Sequence, residues 1–458
     1  MTYVPHSSEQ QKQMCEALGI KSVDELFDEI PSKLLVKNLP EIPQAMNEWE
    51  VRQLLRERSQ QDAGWQCYLG GGAYEHHIPA PVWHIAARGE YLTSYTPYQA
   101  ECSQGTLQLL YEFQTMMASL MGLPVSNASL YDGATSITEA VLMCVRHLRK
   151  QKHHTIWVPE VLSPQTHEVL KTLLDLPEIS IKRLPCPSGR LSLETLSEQL
   201  KSDEQAPSAL VVAQPNYLGQ LEEVDALTDW AHANDIMLIA NVNPLSMALL
   251  KPPGRWGKQG ADIACGEAQP FGIPLASGGP YLGFICSTTA LIRQLPGRIV
   301  GQTQDSQGRR AFCLTLQARE QHIRRAKATS NVCTNQGLLV TAATIYLSLM
   351  GPEGLKSVAM RCHLNAQRLQ KALASKGITC AYSKNYFHEL VLPLPIPSSQ
   401  FLKAMEKEKI LAGIPIEHIP THSNAVLVCV TETKSEQQIK QYAQAVATAI
   451  KTKSLEEA

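Results

Sequence analysis

The chain of 458 residues carries 12 cysteines, yet none forms a Cys-x-x-Cys pair and none stands at zinc spacing from a histidine. That pattern argues against a disulfide framework or a zinc ribbon, and the thiols read as reduced, mostly buried groups of a cytoplasmic protein. No apolar run approaches the ~18 residues of a membrane span, so no membrane is expected as a partner. The opening MTYVPHSSEQQKQM has neither the basic nor the apolar region of a secretion signal. Charge of one sign is missing too. The 41 Lys and Arg nearly balance 43 Asp and Glu, and the net charge of −2 gives no electrostatic reason to expect nucleic acid. Gly70-Gly71-Gly72 is followed by no Lys-Ser/Thr and does not join a strand to a helix. It is therefore neither a P-loop nor a dinucleotide fingerprint, and close backbone packing explains it. Glu75-His76-His77 and His84 lack the spacing of a helical metal motif. Neighbouring histidines on a strand point to opposite faces, so polar contacts or a site wall are expected there and no metal.

What is present is a globular composition, 44% hydrophobic, long enough for two or three domains. Residues 1–60 read as a helical segment too polar to hold its own core. Ser22-Val-Asp-Glu25 has the form of a capping box, and Gly19 stands where the preceding helix should stop. Residues 64–103 crowd aromatic, Gly and Pro residues with little periodicity, which in a compact protein is usually functional. Ser103 is placed to cap a helix over 104–121, where Leu107, Leu110, Tyr111 and Met117 recur at helical spacing. From about 124 to 290, short apolar runs without polar alternation (TIWVP, ALVVAQ, IMLIAN, DIACG, YLGFIC) alternate with helical segments. Strands of that kind are buried on both faces, which predicts an α/β fold around a mostly parallel sheet sandwiched by helices. YLGFIC follows DIACG with no room for a crossover helix, so one antiparallel strand is expected. Helical patterns over 333–349 and 354–375, then strands near 388–394 and 425–431, predict a smaller C-terminal α/β module. The domain reading is 1–60, a large domain 61–334 and a small domain 335–458.

Four stretches are candidates for chemistry. ADIACGEAQPFGIPLASGGPYLG (261–283) has the form of a loop that brings backbone close to a ligand, yet holds no Lys, no His and no acid beyond Glu267. Ser129 to Ser136 is a Gly/Ser/Thr turn entering a helix, which suits an anion. A Ser136–Glu139 capping box explains it equally well. Tyr91, Tyr95, Tyr98 and Gln99 read either as aromatic packing or as the wall of a pocket for a small polar ligand. The Arg-rich loop 297–325 reads either as a solvated face or as a surface for a partner's carboxylates.

YTPYQAECSQGTLQLLYEFQ (95–114), YDGATSITEA (131–140), PGRIVGQT (296–303) and LQAREQHIRRAKATSNVCTNQ (316–336) are long, specific strings. They resemble the N-terminal half of the glycine-cleavage P-protein family, in the form split into subunits, of which this chain resembles subunit 1, the alpha subunit. The resemblance implies the PLP-dependent transferase-like fold type I. It also implies glycine decarboxylation with transfer of the aminomethyl group to the lipoyl arm (lipoamide) of H-protein. The family's catalytic half carries a lysine that forms a Schiff base with pyridoxal 5'-phosphate, ahead of a Phe-x-Ile-Pro string. Registered on Phe271-Gly-Ile273-Pro274, Gln269 stands where that lysine would be and Ala268 where a histidine would be. The acid that keeps the pyridine nitrogen protonated registers, through Ala240-Asn241, on Leu238. An amide and a leucine cannot do those jobs, so no catalytic or cofactor-binding residue is expected in this chain. The resemblance assigns pyridoxal phosphate to a partner beta subunit (subunit 2), with glycine and lipoylated H-protein as further partners and a heterotetramer as the natural closed assembly. The shared-pocket or interface candidates are Tyr95, Tyr98, Gln99, Ser103 and Gln104. Arg319 and Arg324, with Arg309, Arg310 and Arg325, are candidates for contact with the partner or H-protein. Two alternatives stand beside this reading. One is an autonomous enzyme using another lysine, such as Lys251, Lys258 or Lys327. The other is a scaffold homologue without catalysis.

Overall fold

A computed structural model describes residues 6–36, 41–92, 95–203, 205–276 and 278–451. Residues 1–64 and 65–458 form two compact units.

In the first unit, helix α1 (Ser8–Leu18) starts at a reciprocal Ser7–Gln10 capping box and ends at Gly19, whose φ of 72° closes the helix in the left-handed conformation. Ser22 precedes only a short 3₁₀ segment, Val23–Phe27, and makes no side-chain cap. The Glu25 carboxylate instead accepts from the Lys21 N–H at 3.0 Å. The cap expected at Ser22 is therefore absent. A second full helix, α2 (Glu48–Gln61), begins at an Asn47–Glu50 capping box. Cys15 is the one buried hydrophobic residue among the described positions of this unit.

The second unit is built on a seven-stranded sheet. Its strands are β1 (Val125–Ser126), β2 (His154–Pro159), β3 (Ile179–Leu184), β4 (Ala209–Gln214), β5 (Met237–Val242), β6 (Ile263–Glu267) and β7 (Gly283–Ser287). The spatial order is β1-β7-β6-β5-β4-β2-β3. Strands β2 to β6 run parallel, while β7 pairs antiparallel with both β6 and β1. Every residue of β4 is buried, as a central strand covered on both faces by helices requires. Two apolar clusters lie on the two faces: Leu210, Val212 and Leu238 belong to one, Val211, Ile239 and Ile263 to the other. The period-2 geometry of the strand sends neighbours to opposite sides.

Helix α3 (Gln104–Met121) packs Leu107, Leu110, Phe113 and Met117 into the first cluster. Helix α4 (Gly133–His147) starts at Asp132, whose side chain accepts from the Thr135 N–H at 2.7 Å. This corrects the expected Ser136–Glu139 box. Asp132 is already an acceptor at the N-cap, so Ser136 falls inside the helix, and its hydroxyl bonds the Asp132 carbonyl at 2.7 Å.

The segment expected to be an Arg-rich loop is largely a β-hairpin, β8 (Ile299–Gln304) against β9 (Arg310–Thr315). The run RAFCLT turns alternate residues inward, burying Phe312 and Leu314.

Helix α5 (Gly337–Ala374) is one long element interrupted at Gly351, with φ 57° and ψ −176°, immediately before Pro352. Only glycine adopts that backbone readily, and proline then starts the next helical stretch. By length and composition α5 could cross a membrane, but half of its apolar window is buried within the protein. Val340, Ala343, Tyr346 and Leu347 belong to the main core, so it serves as a core helix. A three-stranded antiparallel sheet has the order β10 (Glu389–Pro393), β12 (Ala425–Cys429), β11 (Ile414–Pro415).

Candidate functional site

Parallel α/β sheets bind ligands at the carboxyl ends of their strands. A cavity of about 440 Å³ lies there, walled by Gly70–Tyr74, Asp132–Ala134 at the start of α4, Asn216 and Tyr217, Asn241–Asn243, Glu267, Tyr281 and Glu389. Among the described residues its lining contains no Lys, Arg or His.

Glu267 closes the end of β6. Its Oε1 accepts from the backbone N–H groups of Gln269 (2.9 Å) and Leu282 (2.8 Å), and its Oε2 from that of Gly133 (2.9 Å). The last donor is the first residue of α4, where free N–H groups and the helix dipole favour an anion. The approach requires glycine: a Cβ on Gly133 would lie 2.8 Å from Glu267 Cβ. Burial pushes the Glu267 carboxyl up to about 7, opposed by the three N–H donors.

On the opposite wall, Glu389 Oε1 accepts from the Gly71 N–H (2.7 Å) and Oε2 from the Tyr74 hydroxyl (3.1 Å). Burial lifts this group to about 7 as well. A carboxyl raised above its usual value stabilises the fold fully below that usual value, near 4.5, and loses the contribution as pH rises through about 7. Glu389→Gln removes the charge, still accepts from the Gly71 N–H through Oε1, and keeps the Tyr74 contact with its direction reversed, the amide donating to the hydroxyl oxygen. The stability of wild type relative to this variant is therefore expected to fall by on the order of 3 kcal/mol between pH 5 and pH 8, measured by denaturant unfolding. A pH-independent difference would contradict the assignment. Beneath the cavity Asn216 donates to Glu222 Oε1 at 2.8 Å and to the Gly189 carbonyl at 2.8 Å, fixing the loop after β4.

Gln269 is 1% exposed, and its amide is fully used. Its Oε1 accepts from the Tyr74 N–H (2.8 Å), while Nε2 donates to the carbonyls of Tyr74 (2.9 Å) and Ile273 (2.7 Å). The side chain thus bonds a single residue of the Gly-rich segment as a backbone strand would. Leu238 is wholly buried in the core and does not line the cavity. The residues of β5 and its exit that do are Asn241, Val242 and Asn243, because only the carboxyl end of the strand reaches the cavity.

The tyrosine run lines a different, open cleft of about 740 Å³, formed by Glu90, Tyr91, Tyr95, Thr96, Tyr98, Gln99, Cys102, Ser103, Gly105 and Thr106. It shares no lining residue with the cavity. Tyr95 is 84% exposed and Tyr98 is 52% exposed. The Tyr98 ring lies 5.0 Å from that of His322 and 5.9 Å from the Arg298 guanidinium. Arg298 is 2% exposed and holds this wall from behind. It donates to Thr96 Oγ1 (3.1 Å), Thr334 Oγ1 (3.0 Å), Asn335 Oδ1 (2.7 Å) and the Cys333 carbonyl (3.3 Å).

Ser103 precedes α3 but makes no side-chain cap. Gln104 is committed to structure: it bonds the Ala100 carbonyl and pairs with both backbone groups of Phe312 at 2.8 and 2.9 Å. Arg319 is likewise spent on the carbonyls of Leu295 and Gly297. Arg309 is exposed and paired with Asp305, and Arg310 is exposed with its guanidinium 5.6 Å from the Phe312 ring. Arg324, bonded through Nε to the Ala318 carbonyl, and Arg325 are exposed.

A pyridine cofactor that carries a phosphate group does not fit the cavity as built. A carboxylate already occupies the first amide of α4, no cation stands in the lining, and the amide at 269 is engaged on both sides.

The order of strands and the cavity at their carboxyl ends define the fold of the large pyridoxal-phosphate-dependent transferase class. One member, a C-DES mutant with glycine covalently linked to the PLP cofactor, is 12% identical and superposes with a TM-score of 0.60 over 86% of this chain and 98% of its own, a likeness of fold alone. The family model for the glycine cleavage system P-protein matches residues 1–446. The chain belongs to that family. Proteins named "Probable glycine dehydrogenase (decarboxylating) subunit 1" are 52% identical in Nitrosospira multiformis (96% of this chain, 98% of that one) and 50% identical in Nitrosomonas europaea (98% and 99%). The crystal structure of glycine decarboxylase (P-protein) in inhibitor-bound form is 38% identical, with a TM-score of 0.88 over 98% of this chain and 100% of that one.

Glu389, Tyr74 and Arg298 had no assigned role in the sequence reading. Glu267 stands out in the sequence as the single acid of its loop, but its partner Gly133, 134 residues away, is visible only in the fold.

Proposed function

We propose that this chain is the subunit of a two-chain glycine dehydrogenase (decarboxylating) that does not anchor the cofactor. The observation that carries the proposal is the cavity at the strand ends, with Glu267 on the helix amide and Gln269 locked to Tyr74. The names of the relatives as subunit 1 support a partner chain. Pyridoxal phosphate, which supplies an electron sink for loss of CO2 from glycine, belongs in this proposal to the beta subunit (subunit 2). The aminomethyl group then passes to the lipoyl arm of H-protein. A cytoplasmic heterotetramer, with the chain divided near residues 60 and 334, is part of the same reading.

This chain's contribution is the tyrosine-lined cleft. Tyr95, Thr96, Tyr98 and Gln99 present hydroxyl and amide groups on a surface stiffened by Arg298. Such a wall, set over a partner's site, orients a small polar substrate and excludes water from it. The exposed Arg310, Arg324 and Arg325 stand at the surface to meet carboxylates of the beta subunit or H-protein, and Arg309 can join them only by leaving Asp305. Arg319 and Gln104 are assigned to holding the β8–β9 hairpin and its exit in place. Tyr95→Phe combined with Tyr98→Phe is expected to lower glycine decarboxylation by the assembled enzyme about 10- to 100-fold with association of the two chains intact. Unchanged activity in an intact complex would remove the cleft from the site.

Of the lysines weighed for an autonomous enzyme, Lys251 pairs with Asp225 at the surface, and Lys258 and Lys327 are exposed. None lines the cavity, and an imine-forming lysine needs a desolvated site.

A further inference from the structure

Behind the cavity, five polar side chains from distant parts of the chain converge: His76, Tyr346, Cys362, His388 and Glu432. His76 Nδ1 lies 2.7 Å from Glu432 Oε2, and Cys362 Sγ lies 3.2 Å from the same oxygen. The side chains of His76 and Glu432 are 2% and 11% exposed, and Cys362 is fully buried. The donor atoms of His76, Cys362 and Glu432 all fall within 4.8 Å of one another. Glu432 is oriented by its other oxygen, which accepts from the His77 N–H at 2.7 Å.

A second observation is independent of this. Three buried polar atoms around the cluster have no hydrogen-bond partner: His76 Nε2, His388 Nδ1 and Tyr346 Oη. His388 and Tyr346 are each 1% exposed. The His76 and His388 rings stack with centroids 6.5 Å apart, and Tyr74 sits 4.6 Å from His388. Buried polar atoms almost always have partners, so several unpaired ones in one place point to an ion or ordered water among them.

We propose that His76 Nδ1, Cys362 Sγ and Glu432 Oε2 bind one divalent transition-metal ion, with zinc best suited to this mixed nitrogen, sulfur and carboxylate set. Zinc takes ligands at about 2.0–2.3 Å in a tetrahedron, so donors sit roughly 3.3–3.7 Å apart. The Cys362–Glu432 pair, at 3.2 Å, is already close to that spacing, and the His76–Glu432 pair, at 2.7 Å, needs to open by roughly 0.6–1 Å. The Cys362 thiol ligates as thiolate, so its proton leaves to solvent as the sulfur–metal bond forms, with no change of oxidation state. Water in the fourth position completes the tetrahedron. The consequence is mechanical. The ion ties the segment that follows Gly70–Gly72, and with it Tyr74 on the cavity wall, to α5 and to the residues after β12. The sequence motif around His76 gave no sign of this, because two of the three ligands come from residues 362 and 432.

The test uses the purified full chain. After expression with zinc and gel filtration, elemental analysis is expected to find about one zinc per chain, as a site with three protein ligands holds. Cobalt in place of zinc is expected to give near-ultraviolet thiolate-to-metal absorption. Cys362→Ser, nearly isosteric, and His76→Ala are expected to lose both signals, with circular dichroism checking the fold. The cobalt spectrum of the wild-type chain reports on cysteine ligation even where a variant fails to fold. Metal at trace levels in the wild type would overturn the proposal and leave a hydrogen-bonded triad with water. Retention of the metal in folded Cys362→Ser, or cobalt binding without the thiolate band, would place the ion elsewhere and overturn it equally.

Discussion

Gln269→Lys is expected to destabilise the chain by about 3–5 kcal/mol and to create no cofactor anchor. The position reads in the sequence as a catalytic lysine lost, which invites its restoration. The geometry argues otherwise. The amide both accepts and donates, holding Tyr74 N–H, Tyr74 C=O and Ile273 C=O at once. An ammonium group has no acceptor, so the Tyr74 N–H would be left buried without a partner. Loss of that pairing frees the segment from Gly70 to Tyr74, which forms one wall of the cavity. The cofactor's phosphate would also still meet Glu267 at the start of α4. Denaturant unfolding measures the first effect. An absorbance scan after incubation with pyridoxal phosphate measures the second, and a stable variant that takes up the cofactor would refute the argument.

Arg298→Met is expected to have the other large effect, through kinetics. The guanidinium is buried, bonds four groups and carries the 95–98 wall on Thr96 and Tyr98. Removing it leaves Asn335 Oδ1 and the Cys333 carbonyl without that donor and lets the wall move. A displacement of about 1 Å at substrate-positioning groups costs on the order of 100-fold in rate. Decarboxylation by the two-chain enzyme is expected to fall by about that factor in kcat/KM. Arg298→Lys should rescue little, because a single ammonium cannot reproduce the planar fork. Full activity in either variant, with the complex intact, would detach Arg298 from the site.

The parallel sheet and its single antiparallel neighbour were legible in the sequence because central strands must be apolar throughout. The runs ALVVAQ and DIACG announce burial on both faces without reference to anything distant. The end of α1 at Gly19 was equally local, and so was the start of α3 after Ser103, although Ser103 makes no side-chain cap. The cap at Asp132 was misread because two capping patterns overlap within eight residues, and the first acceptor in the chain won. The hairpin from 299 to 315 was hidden by its arginines, which draw the eye from the inward alternation of Phe312 and Leu314. The Gln269 substitution could be read from a string, but its bonding to Tyr74, 195 residues away, could not. The same limit applies to Glu267 with Gly133, Glu389 with Gly71, and His76 with Cys362 and Glu432. In each, the chemistry lies in a contact that only the fold creates.

The most direct test of the non-anchoring role is borohydride reduction of the assembled two-chain enzyme, followed by mass spectrometry of the labelled peptides. The pyridoxyl label is expected on a lysine of subunit 2 and absent from every lysine of this chain. A stoichiometric label on Lys251, Lys258, Lys327 or any other lysine here would contradict the role assigned to it.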